Sequence, residues 1–230
     1  MELFSGLRYF LFPTEARPMR PIPKSFEDQL EVYQRNKVLT RIHPMYYPEN
    51  TVVGERGHVG ASFVCCSDGN QISHILRNEE AYLAQLAGSH NLTIDSLCLH
   101  THAMHGGGLV LAVPEMEYGE FNGKAVNLRT ALLSQLESGL EKKSNNVVVI
   151  VTHAICAGVP DNFTSLCHYV FATAVAKQEV VNELGLNRTQ VMTHVQLFRE
   201  SERSMYHLDS SLLAEFHKMS LLDMRILLQE

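Results

Sequence analysis

The 230-residue chain reads as an α/β domain: a mostly parallel β-sheet flanked by helices and preceded by an extended N-terminal arm. Three observations predict this. Val147 to Val151 is an unbroken β-branched run, the pattern of a strand buried on both faces of a parallel sheet. Short apolar runs alternate with longer amphipathic ones in the order β-α-β-α-β-α-β plus a terminal helix, which favours parallel pairing through crossover helices. Hydrophobic residues make up 45% and charged residues 19%, so one sizeable core is within reach.

The elements follow in order. Between Pro13 and Pro23, four prolines (13, 18, 21 and 23) interleave with Arg17 and Arg20, a composition suited to an extended arm. Residues 26–37 read as a polar helix, and the turn formers from Pro44 to Gly60 place the start of the core near His58. The chain therefore divides into an arm and helix, 1–57, and an α/β domain, 58–230. The run HVGASFVCC is a strand that ends in the turn Ser67-Asp68-Gly69-Asn70. Ile72, Ile75, Leu76, Tyr82, Leu83 and Leu86 give helical spacing over 71–88, with Gly88 as its stop.

Asp95 to His102 is a second strand, running into the glycine-rich turn His105-Gly106-Gly107-Gly108. Ala125, Leu128, Leu132, Leu136 and Leu140 mark one face of a helix over 125–143, with Lys142 and Lys143 at its negative end. Asn145-Asn146 separates it from the β-branched strand, which ends at Thr152-His153. A helix is predicted over 163–184, stopped by Gly185. Val191–Phe198 and Ser204–Leu208 form a strand and its return, and Ser211–Leu228 has helical spacing again.

Composition limits the function classes. Nineteen basic against twenty-five acidic side chains give a net charge of −6, and no dense Lys/Arg run is present to neutralise a phosphate backbone, so nucleic acid is not expected as a partner. The apolar N-terminal patch is interrupted by Gly6 and Arg8 and lacks a signal-peptide pattern, and no run is long enough to span a bilayer. The five cysteines, an odd number in a chain that needs no staples, point to thiols in a reducing compartment, with a cytoplasmic location expected.

Sites in parallel sheets gather at the carboxyl ends of strands, and three reactive groups fall there: Cys65-Cys66-Ser67-Asp68, His100/His102/His105, and His153 with Cys156. An imidazole and a thiolate three residues apart can reach one ion from a single turn, and Cys66 can supply a third ligand. Mixed sulfur and nitrogen ligation suits Zn2+, which is borderline soft and accepts a tetrahedron, with Asp68 or water in the fourth position. Cys65, Cys98 and Cys167 read as small core residues. The bland alternatives are core cysteines at 66 and 156, a backbone-bonded His153, and Asp68 as a turn or helix cap.

Cys66-Ser67-Asp68 followed by His153-x-x-Cys156 resembles the zinc-binding pattern of the β-class carbonic anhydrases, over roughly residues 59–209. The resemblance implies a β-carbonic anhydrase-like fold and a homodimer or higher homo-oligomer. It also implies that zinc is held by Cys66, His153 and Cys156 with Asp68 as gate or fourth ligand. The activity it implies is a lyase reaction, reversible hydration of carbon dioxide to bicarbonate, or of a related small molecule, by zinc-bound hydroxide. The family's Cys-x-Asp-x-Arg motif has an arginine that draws the aspartate off the metal, and this chain has Asn70 there. Two alternatives stand beside it. One is a non-catalytic zinc-stabilised module in which Asp68 closes the site permanently. The other is a metal-dependent hydrolase built on His100, His102 and His105.

Overall fold

The computed structural model describes residues 22–42, 59–67, 97–121, 123–142, 147–199 and 202–229. The Pro-rich arm up to residue 21, the helix expected over 71–88, and both Asp68 and Asn70 lie outside them. Among the described residues the chain is α/β, with a mixed six-stranded sheet flanked by helices.

Helix α1 (Lys24–Arg35) buries Phe26, Leu30 and Tyr33 and leads into the short strand β1 (Leu39–Arg41). Strands β2 (Val59–Cys66) and β3 (Leu97–Met104) pair in parallel, so β3 runs two residues beyond the expected end at His102. A tight 3-10 turn, Gly107–Leu111, follows, and its residues are all buried.

Next comes a hairpin of β4 (Tyr118–Phe121) and β5 (Lys124–Asn127), then helix α2 (Leu128–Lys142). Strand β6 (Val147–Ala154) is buried at every position, as its β-branched run requires. Helix α3 (Leu166–Glu183) follows, then strands β7 (Val191–Arg199) and β8 (Glu202–Leu208), and the helices α4 (Ser210–His217) and α5 (Leu221–Leu227).

The sheet order is β1-β8-β7-β6-β2-β3. β3, β2, β6 and β7 are mutually parallel, whereas β7-β8 and β8-β1 are antiparallel. The antiparallel margin arises because β7 turns straight back into β8 without room for a crossover helix. Parallel neighbours in register present side chains to one face, so Val64, Ile150 and Thr193 share a face. That face carries α3: Thr152 and Thr173 hydroxyls meet at 2.7 Å across the contact. Leu166, Tyr169, Val170, Ala172, Val175 and Val180 of α3 are buried in the same cluster as Val148, Ile150, Val195 and Leu197. Full burial of each large aliphatic side chain there contributes about 1.5–3 kcal/mol.

Three sequence expectations need correction. The core does not begin near His58: Ile22, Phe26, Leu30, Tyr33, Val38 and Leu39 belong to the same cluster, and β1 extends the sheet beside β8. The helix expected over 125–143 starts only at Leu128, because residues 124–127 pair with β4. Asn127 caps the helix, its side-chain oxygen accepting the Thr130 N–H at 2.7 Å. The signal was Asn122-Gly123, a turn dipeptide that allows the positive φ of 72° found at Gly123. The helical stretch 211–228 is two helices, broken at Lys218 (φ 52°) and restarted by the reciprocal Ser220–Asp223 capping box.

Candidate metal centre

Cys66 ends β2, His153 is the penultimate residue of β6, and Cys156 lies two residues past the end of that strand. All three are buried, and one donor atom from each lies within 4.8 Å of the other two. In a tetrahedral site with metal–sulfur bonds near 2.3 Å and metal–nitrogen bonds near 2.0–2.1 Å, donors stand about 3.3–3.8 Å apart, so the spread of these three is close to what one ion needs. Cys66 and His153 are each 4% exposed and Cys156 3%, leaving little room for water to satisfy them.

His153 supplies the independent test of fit. Both of its ring nitrogens are buried without a hydrogen-bond partner. A buried polar atom without a partner costs roughly 1–3 kcal/mol, and a neutral imidazole has one donor and one acceptor to satisfy. A metal ion would satisfy the acceptor nitrogen, and two thiols beside it offer soft ligands to such an ion. No disulfide engages Cys65, Cys66, Cys156 or Cys167. Among the described residues this is the only group of three such side chains within reach of one ion.

The surrounding backbone holds the donors in place. Gly107 (φ 58°) lies against the end of β2, where a Cβ would come within 2.6 Å of the Cys66 amide nitrogen and 2.7 Å of the Cys65 carbonyl carbon. Only glycine permits that approach. The Ser67 N–H bonds to the Met104 carbonyl at 2.9 Å, tying the exit from β2 to β3. On the other side the Tyr169 hydroxyl accepts the Cys156 N–H at 3.4 Å, and its ring meets Phe163 edge-on with centroids 5.2 Å apart. Burial raises the Tyr169 phenol well above its ordinary pKa, so it stays protonated.

The three histidines at 100–105 do not assemble a centre of their own among the described residues. His102 is half-buried, its Nδ1 sharing a hydrogen bond with Gln135 Oε1 at 3.2 Å, and burial lowers its pKa against that bond. His105 is exposed at the start of the glycine turn, and its imidazole covers Gly158, where any Cβ would collide with the ring. It therefore sits over the loop that follows Cys156 rather than beside His100 and His102.

Sequence spacing singled out the three side chains that the structure brings together. It did not identify Gly107 as the brace under Cys66, or Tyr169 as the partner of the Cys156 amide. The triple glycine was a signal for the first, whereas Tyr169, thirteen residues past Cys156 on the next helix, leaves no local signature. Cys65 is buried as a core residue, as expected, and Cys167 is half-buried. Among the described residues no helix is long and apolar enough to cross a membrane.

Comparison with protein-family models, with curated proteins and with solved structures finds no match. The fold and site define an α/β protein with a buried Cys-His-Cys group able to bind a metal ion.

Proposed function

We propose that this chain is a zinc protein of the β-carbonic anhydrase type, a lyase acting on carbon dioxide and bicarbonate. The observation that carries this reading is the convergence of Cys66, Cys156 and the unpartnered His153 imidazole at adjacent ends of parallel strands. The parallel core β3-β2-β6-β7 is consistent with the mostly parallel sheet of that fold.

Bound there, zinc supplies a Lewis acid that makes water nucleophilic near neutral pH. The residues of the chain do the rest. Cys66, His153 and Cys156 would hold the ion in a largely buried setting. Tyr169 and Gly107 hold the Cys156 and Cys66 backbones so that the donors keep their positions. Asp68, two residues beyond Cys66, orients the nucleophile or fills the fourth position. In this reading the active form is a cytoplasmic homodimer or higher homo-oligomer.

Asn70 favours a second reading. Lacking the arginine that withdraws the aspartate, the chain keeps Asp68 on zinc and the site is structural. One set of measurements separates the two: zinc per chain in the wild type and in Cys66→Ser, His153→Ala and Cys156→Ser, with carbon dioxide hydration followed between about pH 6 and 9. One zinc lost in all three variants, with hydration rising at high pH, supports the enzyme. Zinc without hydration supports the closed site, and zinc retained in the variants overturns both.

A further inference from the structure

A cavity of about 260 Å³ opens at the other end of the sheet, where β7 begins and β8 ends. Val191 pairs with Val148, five residues before His153 on β6, and the cavity shares no lining residue with the metal centre, so the two are separate sites. It is lined by Lys177 from α3, Arg188 from the turn before β7, His207 from β8, and Asp209, Ser210 and Ser211 at the start of α4.

The polar groups there are unevenly matched. Lys177 is half-buried and, among the described residues, makes no hydrogen bond or ion pair; its electrostatic neighbours are Asp209 and the like-charged Arg188. Asp209 is already engaged, its Oδ1 accepting the Ser211 and Leu212 N–H groups at 2.9 and 3.0 Å as the cap of α4. His207 Nδ1 is buried with no hydrogen-bond partner. Two cations, one committed carboxylate and a neutral imidazole leave the cavity short of negative charge. Burial depresses the Lys177 pKa, Asp209 opposes that shift, and Arg188 adds to it. An anion in the cavity would offset both the burial and the repulsion.

Arg188 is held ready rather than free to swing away. Its Nη2 donates to Gln178 Oε1 at 3.0 Å, and Gln178 in turn donates to Asn182 Oδ1 at 2.6 Å. The turn bearing it is closed by the reciprocal Asn187–Gln190 capping box. A second cavity of about 460 Å³ adjoins the first, sharing Arg188, Ser210 and Ser211 and adding the amides of Gln178 and Asn182.

The chemistry of the lining selects the ligand. An ammonium and a guanidinium together balance a dianion, and the serine hydroxyls and the His207 ring add donors from further directions. A carboxylate has two oxygens to offer, a phosphate at least three. We propose that the Lys177–Arg188 cavity binds the phosphate of a small phosphomonoester, whose polar organic group lies in the adjoining cavity over Gln178 and Asn182.

The test is calorimetric titration of the full chain at low ionic strength with inorganic phosphate and with glycerol 3-phosphate, using the wild type, Lys177→Met and Arg188→Gln. Saturable binding is expected, tighter for the ester, and weakened by about tenfold or more in each variant as a charge-assisted contact is lost. Zinc content should be the same in all three proteins. Arg188 is on the surface, so its variant keeps the test decisive if Lys177→Met fails to fold. Equal affinity for the two ligands would overturn the ester and assign the cavity to free phosphate. No saturable binding in the wild type, or binding untouched by Arg188→Gln, would overturn the site altogether.

Discussion

His153 and His207 are both largely buried imidazoles in one sheet, on β6 and β8 with β7 between them, and their surroundings differ. His153 has two thiols within 4.8 Å and both nitrogens unpartnered. His207 faces a second imidazole, His194, with ring centroids 5.7 Å apart, and lies near Lys177. Burial first, then His194 and Lys177, push its pKa down to about 3, with Asp209 opposing. Burial alone is therefore no mark of a metal ligand. Two thiols within reach of the His153 ring make a group that could hold a metal ion, whereas burial and the nearby Lys177 keep the His207 ring uncharged.

The largest expected effect sharpens that contrast. His153→Ala or Cys156→Ser should reduce zinc from one per chain to near zero and lower the thermal midpoint, because binding energy at a structural-type zinc site is also folding energy. His207→Gln should leave zinc unchanged. Loss of zinc in His207→Gln, measured by elemental analysis, would break the distinction.

Gly107→Ala comes next. Its Cβ would press on the β2 backbone at Cys66 and adopt an unfavourable positive φ, so the strand end must move. We expect a loss of about 1–3 kcal/mol in chemical denaturation together with weaker zinc retention against a chelator.

His207 should contribute to acid sensitivity. Its folded pKa is depressed, so the stabilising preference for the neutral ring is full above the unfolded value near 6.5 and is lost as pH falls towards about 3. Between those limits the unfolded chain binds the proton and the native one does not, and stability falls. Denaturation curves of His207→Gln should show a shallower pH dependence over that window; an unchanged slope would place the sensitivity elsewhere.

Tyr169→Phe should give the smallest effect. It removes the hydroxyl that accepts the Cys156 N–H while retaining the ring against Phe163. A stability loss of about 1 kcal/mol and a fall in zinc affinity of roughly tenfold are expected, read by competition with a chromophoric chelator.

Much of this molecule was legible in the amino-acid order. The β-branched run at 147–151 specified the central strand, and it is buried throughout. Cys66 and the His153-x-x-Cys156 spacing marked three donors, because short motifs at strand ends depend on local geometry alone. The α3 span and the β7–β8 return were readable for the same reason: periodicity and turn residues act over a few positions.

What tertiary structure decided is of another kind. That α1 and β1 complete the core, though they precede the expected domain start, follows from β1 pairing with β8, a contact between residues far apart in sequence. The paired 124–127 segment overrode a helical pattern through cross-strand bonding that no single window contains. Tyr169 meets Cys156, Gly107 braces Cys66, and Lys177 joins Arg188 and His207 around one cavity only after the sheet has brought their elements together. Propensity is a sum over neighbours in the chain, whereas a site is a set of neighbours in space, so the sequence determined the donors and the fold determined what surrounds them.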